Sequence, residues 1–246
     1  MGKRNKPVKK QSSSLTKESV FPGGLLDCSS VPGTKGGARA RKLKAETLLP
    51  GYIWLIRDFM TDDECQKWIR FVEESKELDQ MEQRGTRYLA ARRCSRLQRN
   101  DPQTASRLFD RAKHICQGLS IHGFDKDGST EIVGCNPNLR VYRYDPGDAF
   151  GKHIDESNIV PGMGVTKLTV LIYLSSCIGG ATRFDPPPST SLWCDQNATK
   201  DIAFEPVAGT MLLHLHGDDC LLHQADPVSK GVKYVLRTDM VYADKR

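Results

Sequence analysis

The chain has 246 residues, 38% of them hydrophobic, with 36 Lys and Arg against 30 Asp and Glu for a formal net charge of +6. That length can bury the core of one large domain or two small ones. The longest apolar run, Leu168 to Leu174, is far too short to span a bilayer. The eight cysteines (Cys28, Cys65, Cys94, Cys116, Cys135, Cys177, Cys194 and Cys220) include no Cys-x-x-Cys pair, which argues against a zinc ribbon.

Residues 1–47 hold eleven Lys and Arg against Glu18, Asp27 and Glu46, and are rich in Ser, Gly and Pro. Such a stretch buries too little apolar surface to offset its ordering entropy, so a basic disordered tail is expected. A solvated tail is the plain reading of its charge; a nuclear-localisation signal or a weak nucleic-acid contact are the sharper ones. No apolar segment follows the basic start, so it does not read as a signal peptide. The chain is therefore expected in a reducing compartment, cytoplasmic or nuclear, with free thiols and no membrane partner.

Order is expected from about Leu48, giving a folded domain over 48–246. Tyr52 to Ile56 reads as a first strand. Thr61-Asp62-Asp63-Glu64 is a capping-box pattern, and Cys65, Trp68, Ile69, Phe71 and Val72 follow at helical spacing, so a helix is predicted from 62 to about 78. Residues 80–100 are dense in arginine (84, 87, 92, 93, 96 and 99) and read either as a solvated flexible segment or as a lid over an acidic or extended substrate. Asp101 as N-cap and Pro102 in the first turn open a second helix, which is predicted to stop near His122-Gly123.

After Asn136-Pro137 the rhythm turns to period two with β-branched residues. Strands are predicted over 139–144, 150–155, 167–174, 181–184, 202–204, 210–215, 221–224 and 233–242. Their spacing points to an antiparallel sandwich or barrel rather than a parallel sheet. Pro186 to Lys200 reads as a surface loop, with Trp193 packing within it. The Asn197-Ala198-Thr199 acceptor motif carries no meaning without secretion.

The chemistry concentrates in Gly151-Lys152-His153-Ile154-Asp155 and in Leu222-His223-Gln224-Ala225-Asp226-Pro227-Val228, with Lys233 and Arg237 just beyond. His153 and Asp155 are two apart in a strand and so share a face. A His-x-Asp plus a distant His can occupy one face of an Fe(II) ion and leave its other positions open. By itself a His-x-Asp is weak evidence, because most are surface or structural residues. His214 and His216 are candidate ligands in principle, but neither precedes a Pro-Val-x-x-Gly-x-Lys pattern as His223 does. His114 and His122 read as structural or exposed, and Trp54 and Trp68 as core anchors.

In order along the chain, Asp58 to Cys65, Arg99-Asn100-Asp101-Pro102, Tyr142 to Asp155, Leu171 to Leu174, Gly179 to Phe184, Gly209 to Leu213 and His223 to Lys233 resemble the prolyl-4-hydroxylase-like branch of the Fe(II)/2-oxoglutarate dioxygenases. The resemblance runs from about Tyr52 to Tyr242. It implies a mainly β (α+β) fold, a double-stranded β-helix or jelly-roll core with N-terminal flanking helices, and a metal-binding core over about 137–243. It implies His153, Asp155 and His223 as Fe(II) ligands. It further implies Lys233 as the partner of the far carboxylate of 2-oxoglutarate. Arg237, four residues on and on the same strand face, is the alternative for that role, and Tyr144, Thr182 and Tyr173 are candidates to line the co-substrate pocket. Tyr142 and Tyr173 equally suit a core.

The implied reaction consumes O2 and 2-oxoglutarate, releases succinate and CO2, hydroxylates a C–H bond and uses ascorbate to keep the iron reduced. The implied substrate is a peptidyl residue of prolyl type. A nucleobase or small molecule on the same cofactors is a second reading. A jelly-roll binding module with a dead site is a third, and a cupin without 2-oxoglutarate a fourth, although a cupin normally opens on His-x-His. Departures from the family are the missing secretion signal and peptide-binding domain of collagen-type members, Phe150 where many carry Tyr, and an unfamiliar stretch from Asp185 to Lys200 in which substrate choice is expected to lie.

Overall fold

The structure, a computed structural model, describes residues 20–27, 43–123, 128–187 and 201–245. A short hairpin comes first, β1 (Ala45–Leu49) with β2 (Ile53–Ile56). Helix α1 (Asp62–Ser75) follows, capped as expected: Glu64 N–H donates to the Thr61 hydroxyl at 3.0 Å and Thr61 N–H to the Glu64 carboxylate at 2.9 Å. A second hairpin, β3 (Asp79–Gln83) and β4 (Arg92–Asn100), leads into α2 (Pro102–Cys116), whose N-cap is Asp101. The arginine-rich segment is thus no loose stretch: Arg92, Arg93, Arg96 and Arg99 all sit on the nine-residue β4. Helix α2 stops at Cys116, several residues short of the glycine expected to end it.

All else is β: β5 (Thr130–Cys135), β6 (Asn138–Tyr144), β7 (Ala149–His153), β8 (Ile159–Val160), β9 (Gly164–Tyr173), β10 (Ile178–Gly179), β11 (Thr182–Phe184), β12 (Ile202–Phe204), β13 (Met211–Leu215), β14 (His223–Ala225), β15 (Val228–Lys230) and β16 (Lys233–Asp244). One antiparallel path runs β1-β2-β13-β9-β16-β6-β4-β7-β14-β11-β12, with β3, β5 and β8 joined at its sides. It curls into the nearly closed jelly-roll barrel expected. The seam is narrow, because β4 meets β7 through only Arg92↔Phe150 and Arg93↔Ala149.

The large sheet has two chemically distinct faces, as strand alternation requires. On β16, Leu236 and Met240 enter the main core and Tyr234 donates to Glu73 of α1, while Lys233, Val235 and Arg237 line a cavity on the other side. The core joins Trp68 and Val72 of α1, Leu108 and Ala112 of α2, and Leu97, Val141 and Leu236 of the sheet. Trp54 is core too, as expected. No helix among the described residues is long and apolar enough to cross a membrane.

The described domain begins earlier than Leu48. Val20–Asp27 lies against the helices, with Phe21 3% exposed and its ring 4.9 Å from that of Trp68. Phe21 N–H donates to Asp101 at 2.9 Å, and Arg99 donates to the Val20 carbonyl at 2.8 Å. Averaged composition hid this short Phe21-Pro22-Gly23-Gly24-Leu25-Leu26 patch inside a basic stretch. The last residues of the expected tail enter β1, while residues 1–19 and 28–42, together with Trp193, Cys194 and Asn197, lie outside the described residues.

Candidate active site

The site forms inside the curl of the large sheet, where β9, β13 and β16 face β7 and β14. His153 ends β7 and His223 opens β14, and the two are direct cross-strand partners, with ring centroids 4.2 Å apart. Asp155 follows two residues beyond the end of β7, buried at 7% exposure, while Ile154 between the two points to solvent. The potential ligand atoms of His153, Asp155 and His223 all lie within 4.8 Å of one another. Arg237 of β16 also reaches Asp155, with 3.0 Å between guanidinium and carboxylate.

The hydrogen bonds around the imidazoles set which nitrogen is available. His153 Nδ1 is 2.9 Å from the Gly151 carbonyl and His223 Nδ1 is 2.9 Å from the Leu221 carbonyl. A carbonyl can only accept, so each Nδ1 carries the proton and each Nε2 presents a lone pair. Those nitrogens point at Asp155, at 3.8 Å for His153 and 3.7 Å for His223. Burial, then the neighbouring His223, pushes His153 down to about 4, and burial likewise lowers His223. Both are therefore neutral at pH 7, the form that binds a metal. Burial raises the Asp155 pKa, but the Arg237 guanidinium beside it outweighs this and holds the carboxyl well below the usual range.

Asp155 is also positioned from behind. Thr169 donates to its Oδ2 at 2.8 Å and accepts from His216 Nδ1 at 2.9 Å, while Thr166 donates to His216 Nε2 at 2.9 Å. His216 therefore stands behind the carboxylate and is not among the converging ligand atoms. His214 is different. It is 1% exposed, its Nδ1 is tied to the Leu215 carbonyl at 3.1 Å, and its Nε2 has no hydrogen-bond partner and lies 3.6 Å from Asp155 Oδ2. The site thus collects a third imidazole lone pair beside an ionised carboxylate, an arrangement that repels itself without a cation between its members. Two imidazoles, a carboxylate and an orphaned third imidazole nitrogen suit a divalent transition metal such as Fe(II).

A rival set, His214, Cys220 and His223, also comes within ligand distance. It fits a metal less well. The Cys220 thiol is pushed up to about 11 by burial, and it faces the Nδ1 of His223 that is already bonded to Leu221.

The same cavity extends to Lys233. Its ammonium is 2% exposed, donates to the Gly180 carbonyl at 2.6 Å and lies 5.5 Å from the ring centroids of Tyr144 and Tyr173. Gly180 permits this approach, since it sits at φ +71° and a Cβ there would come within 3.2 Å of the Lys233 side chain. Burial pulls Lys233 down to about 8. Thr182 lines the cavity with Tyr144 and bonds Tyr173 through the two hydroxyls at 2.7 Å. Tyr173 is itself fully buried, whereas Tyr142 lines the cavity. Arg237 contacts Asp155 and, at 3.6 Å, Asp239. The two basic candidates therefore stand apart: Arg237 against carboxylates of the chain, Lys233 with no carboxylate paired to it among the described residues.

Two lining residues carried no motif signal. His214 was set aside because only His223 precedes the Pro227-Val228 pattern. Arg92 looked like one charge in a run, yet the pairing of β4 with β7 stacks it 4.3 Å over Phe150, whose ring in turn stacks on His153 with centroids 3.6 Å apart. His122 stacks on Tyr52, outside the cavity.

The profile of the 2OG-Fe(II) oxygenase superfamily matches residues 139–238, from β6 into β16. Three similar solved structures are a prolyl-4-hydroxylase of Pseudomonas putida, a Trichoplax adhaerens prolyl hydroxylase and a viral collagen prolyl hydroxylase of Paramecium Bursaria Chlorella virus-1. The first is 16% identical, with a TM-score of 0.52 over 78% of this chain and 93% of that one. The second, solved in complex with a hypoxia inducible factor oxygen degradation domain peptide fragment, is 16% identical, with a TM-score of 0.52 over 78% of this chain and 84% of that one. The viral protein, solved in complex with 2-oxoglutarate, is 16% identical, with a TM-score of 0.47 over 77% of this chain and 95% of that one. No curated protein matches the sequence.

Proposed function

We propose that the chain, which has a prolyl-4-hydroxylase-like fold and matches the 2OG-Fe(II) oxygenase superfamily over residues 139–238, is a 2-oxoglutarate-dependent Fe(II) dioxygenase that hydroxylates a C–H bond of a peptidyl residue of prolyl type. The observation that carries this reading is one cavity with two ends. At one, His153, His223 and Asp155 turn their lone pairs and charge toward a common point; at the other, Lys233 holds an ammonium that no carboxylate among the described residues pairs. Bound iron would supply the activation of O2 coupled to decarboxylation of 2-oxoglutarate to succinate and CO2.

The chain's own residues do the rest. His153, His223 and Asp155 hold the metal, and the Thr169 hydroxyl keeps Asp155 turned toward it. Lys233 takes the far carboxylate of 2-oxoglutarate, with Tyr144 and Thr182 flanking, because Arg237 is already engaged by Asp155 and Asp239. Phe150 shields one face of His153 from water. The peptide bound by the Trichoplax protein supports a peptidyl substrate. Ascorbate as reductant and a cytoplasmic or nuclear setting belong to the same proposal.

An anaerobic titration of the metal-stripped protein with Fe(II) and 2-oxoglutarate tests it. A visible charge-transfer band is expected in the wild type and should be absent in His153→Ala. Consumption of O2 that proceeds equally without 2-oxoglutarate would place the chain with cupins instead, and absence of both metal and 2-oxoglutarate binding would leave only a binding module.

A further inference from the structure

The arginines of the large sheet divide by face. On the face toward the helices every one is matched: Arg93 with Asp148, Arg99 with Glu77, and Arg143 with Glu73 and Asp145. On the cavity face the pattern reverses. Arg92 lines the cavity, Arg96 is the cross-strand partner of the cavity-lining Tyr142, and Arg140 is the partner of the cavity-lining Arg237. Direct antiparallel partners share a face. Among the described residues none of these three is paired with a carboxylate, whereas Arg237 on the same face is. Of the acids of this face, Asp155 and Asp239 are taken by Arg237, and Asp79 stands across from Arg96 in the β3–β4 hairpin without forming an ion pair with it.

Like charges placed directly opposite, as Arg140 and Arg237 are, cost stability. A sheet that matches each outward arginine and leaves three inward ones unmatched has its countercharge supplied from outside. Arg92 and Arg96 are four residues apart on one strand, about 13 Å at the usual strand rise. They bracket the site: Arg92 lies over Phe150, which stacks on His153, while Arg140 adjoins Arg237, which grips Asp155.

Resting on the dioxygenase reading above, we infer that the substrate is an acidic peptide, with carboxylates on both sides of the residue presented to the metal site and Arg92, Arg96 and Arg140 as their receivers. Planar guanidinium groups match carboxylates in a bidentate way, so the three arginines select for charge and for register together. They are half-buried on the inner face of a curled sheet, which suits separate carboxylates on a narrow extended chain. A nucleic acid would call for a broad, solvent-facing basic track with stacking aromatics.

The test reads binding, not turnover. Fluorescence anisotropy of the full chain is measured with a labelled prolyl peptide bearing Glu on both sides of the proline, with its Gln and Lys counterparts, and with a single-stranded oligonucleotide. The Glu peptide is expected to bind at least about tenfold more tightly than the Gln peptide at low salt, with the advantage shrinking as salt rises. Arg96→Gln with Arg140→Gln should bring the two peptides to within about twofold of each other, and the Arg96→Lys, Arg140→Lys protein should restore part of the difference. Equal binding of Glu and Gln peptides to the wild type, no binding of the Glu peptide, or tighter binding of the oligonucleotide would each overturn the inference, and none of these depends on how the variants fold. The charge-transfer titration of the same wild-type protein reports on the cofactor site alone, so failure of one reading is distinguishable from failure of the other.

Discussion

Lys233 shows how a binding residue weakens the fold that carries it. Its ammonium is buried against two aromatic rings with one carbonyl as acceptor, and burial lowers its pKa from 10.5 to about 8. That drop corresponds to roughly 3 kcal/mol against the charged form. Because the folded pKa is below the unfolded one, the unfolded chain binds more protons between the two values, and stability rises with pH across that window. The penalty is fully present below pH 8 and fades toward pH 10.5. Lys233→Met removes the charge while keeping the volume, at the cost of one hydrogen bond worth about 1 kcal/mol. It should therefore stabilise the metal-free protein by about 2 kcal/mol at pH 7 in urea denaturation. If Lys233 receives the far carboxylate of 2-oxoglutarate, the same variant should lose 2-oxoglutarate binding. In the wild type that affinity should fall as pH rises through 8, whereas Lys233→Arg should hold it flat to pH 9.5. An unchanged wild-type affinity between pH 7 and 9.5 would remove Lys233 from that role.

At the scale of elements, what could be read from sequence depended on whether the signal was local. The Thr61 capping box, the Asp101 N-cap and the alternation in β6, β9 and β16 are written in adjacent residues and appear where expected. Strands β8, β10 and β15 are two or three residues long and carry no period to detect. Strand β4 hid because its arginines alternate between two kinds of partner, carboxylates on one face and a cavity on the other, so its polarity looked uniform. The docked Val20–Asp27 segment was masked by the charge around it. That segment makes a sharp prediction. Phe21 packs on Trp68 and Phe71 and has Arg99 over its ring at 5.2 Å, so Phe21→Ala should cost about 3 kcal/mol. At this chain length that is a fall in Tm of about 6–12 °C by calorimetry. Val20→Ala, next to it but half exposed, should change stability by less than about 0.5 kcal/mol. A Phe21→Ala protein that melts like the wild type would mean that the segment adds nothing to the core.

The molecule as a whole is organised around a cluster that no single element supplies. His153 comes from β7, His223 from β14, His214 from β13, Thr169 from β9 and Arg237 from β16, while Asp155 lies just past β7. The pattern of His153, Asp155 and His223 was legible because the spacing and the Pro227-Val228 context are linear. His214 and Arg92 reach the site through pairing across strands far apart in sequence, which no linear pattern records. A cation at this point would tie strands from opposite sides of the curled sheet together and cancel the repulsion between Asp155 and three imidazole lone pairs. Metal binding should therefore act as a fold-wide clamp. At free metal a hundredfold above Kd, linkage gives about 2.7 kcal/mol, or a rise in Tm of about 5–10 °C for a chain of this size. Calorimetry under nitrogen with Fe(II), or in air with Co(II) as a stand-in, should show that rise in the wild type and lose it in His153→Ala and His223→Ala, with EDTA reversing it. His214→Phe separates the two donor sets: if His153, Asp155 and His223 hold the ion, the rise survives in this variant. Loss of the rise in His214→Phe together with its survival in His153→Ala would instead move the metal to the His214, Cys220 and His223 set.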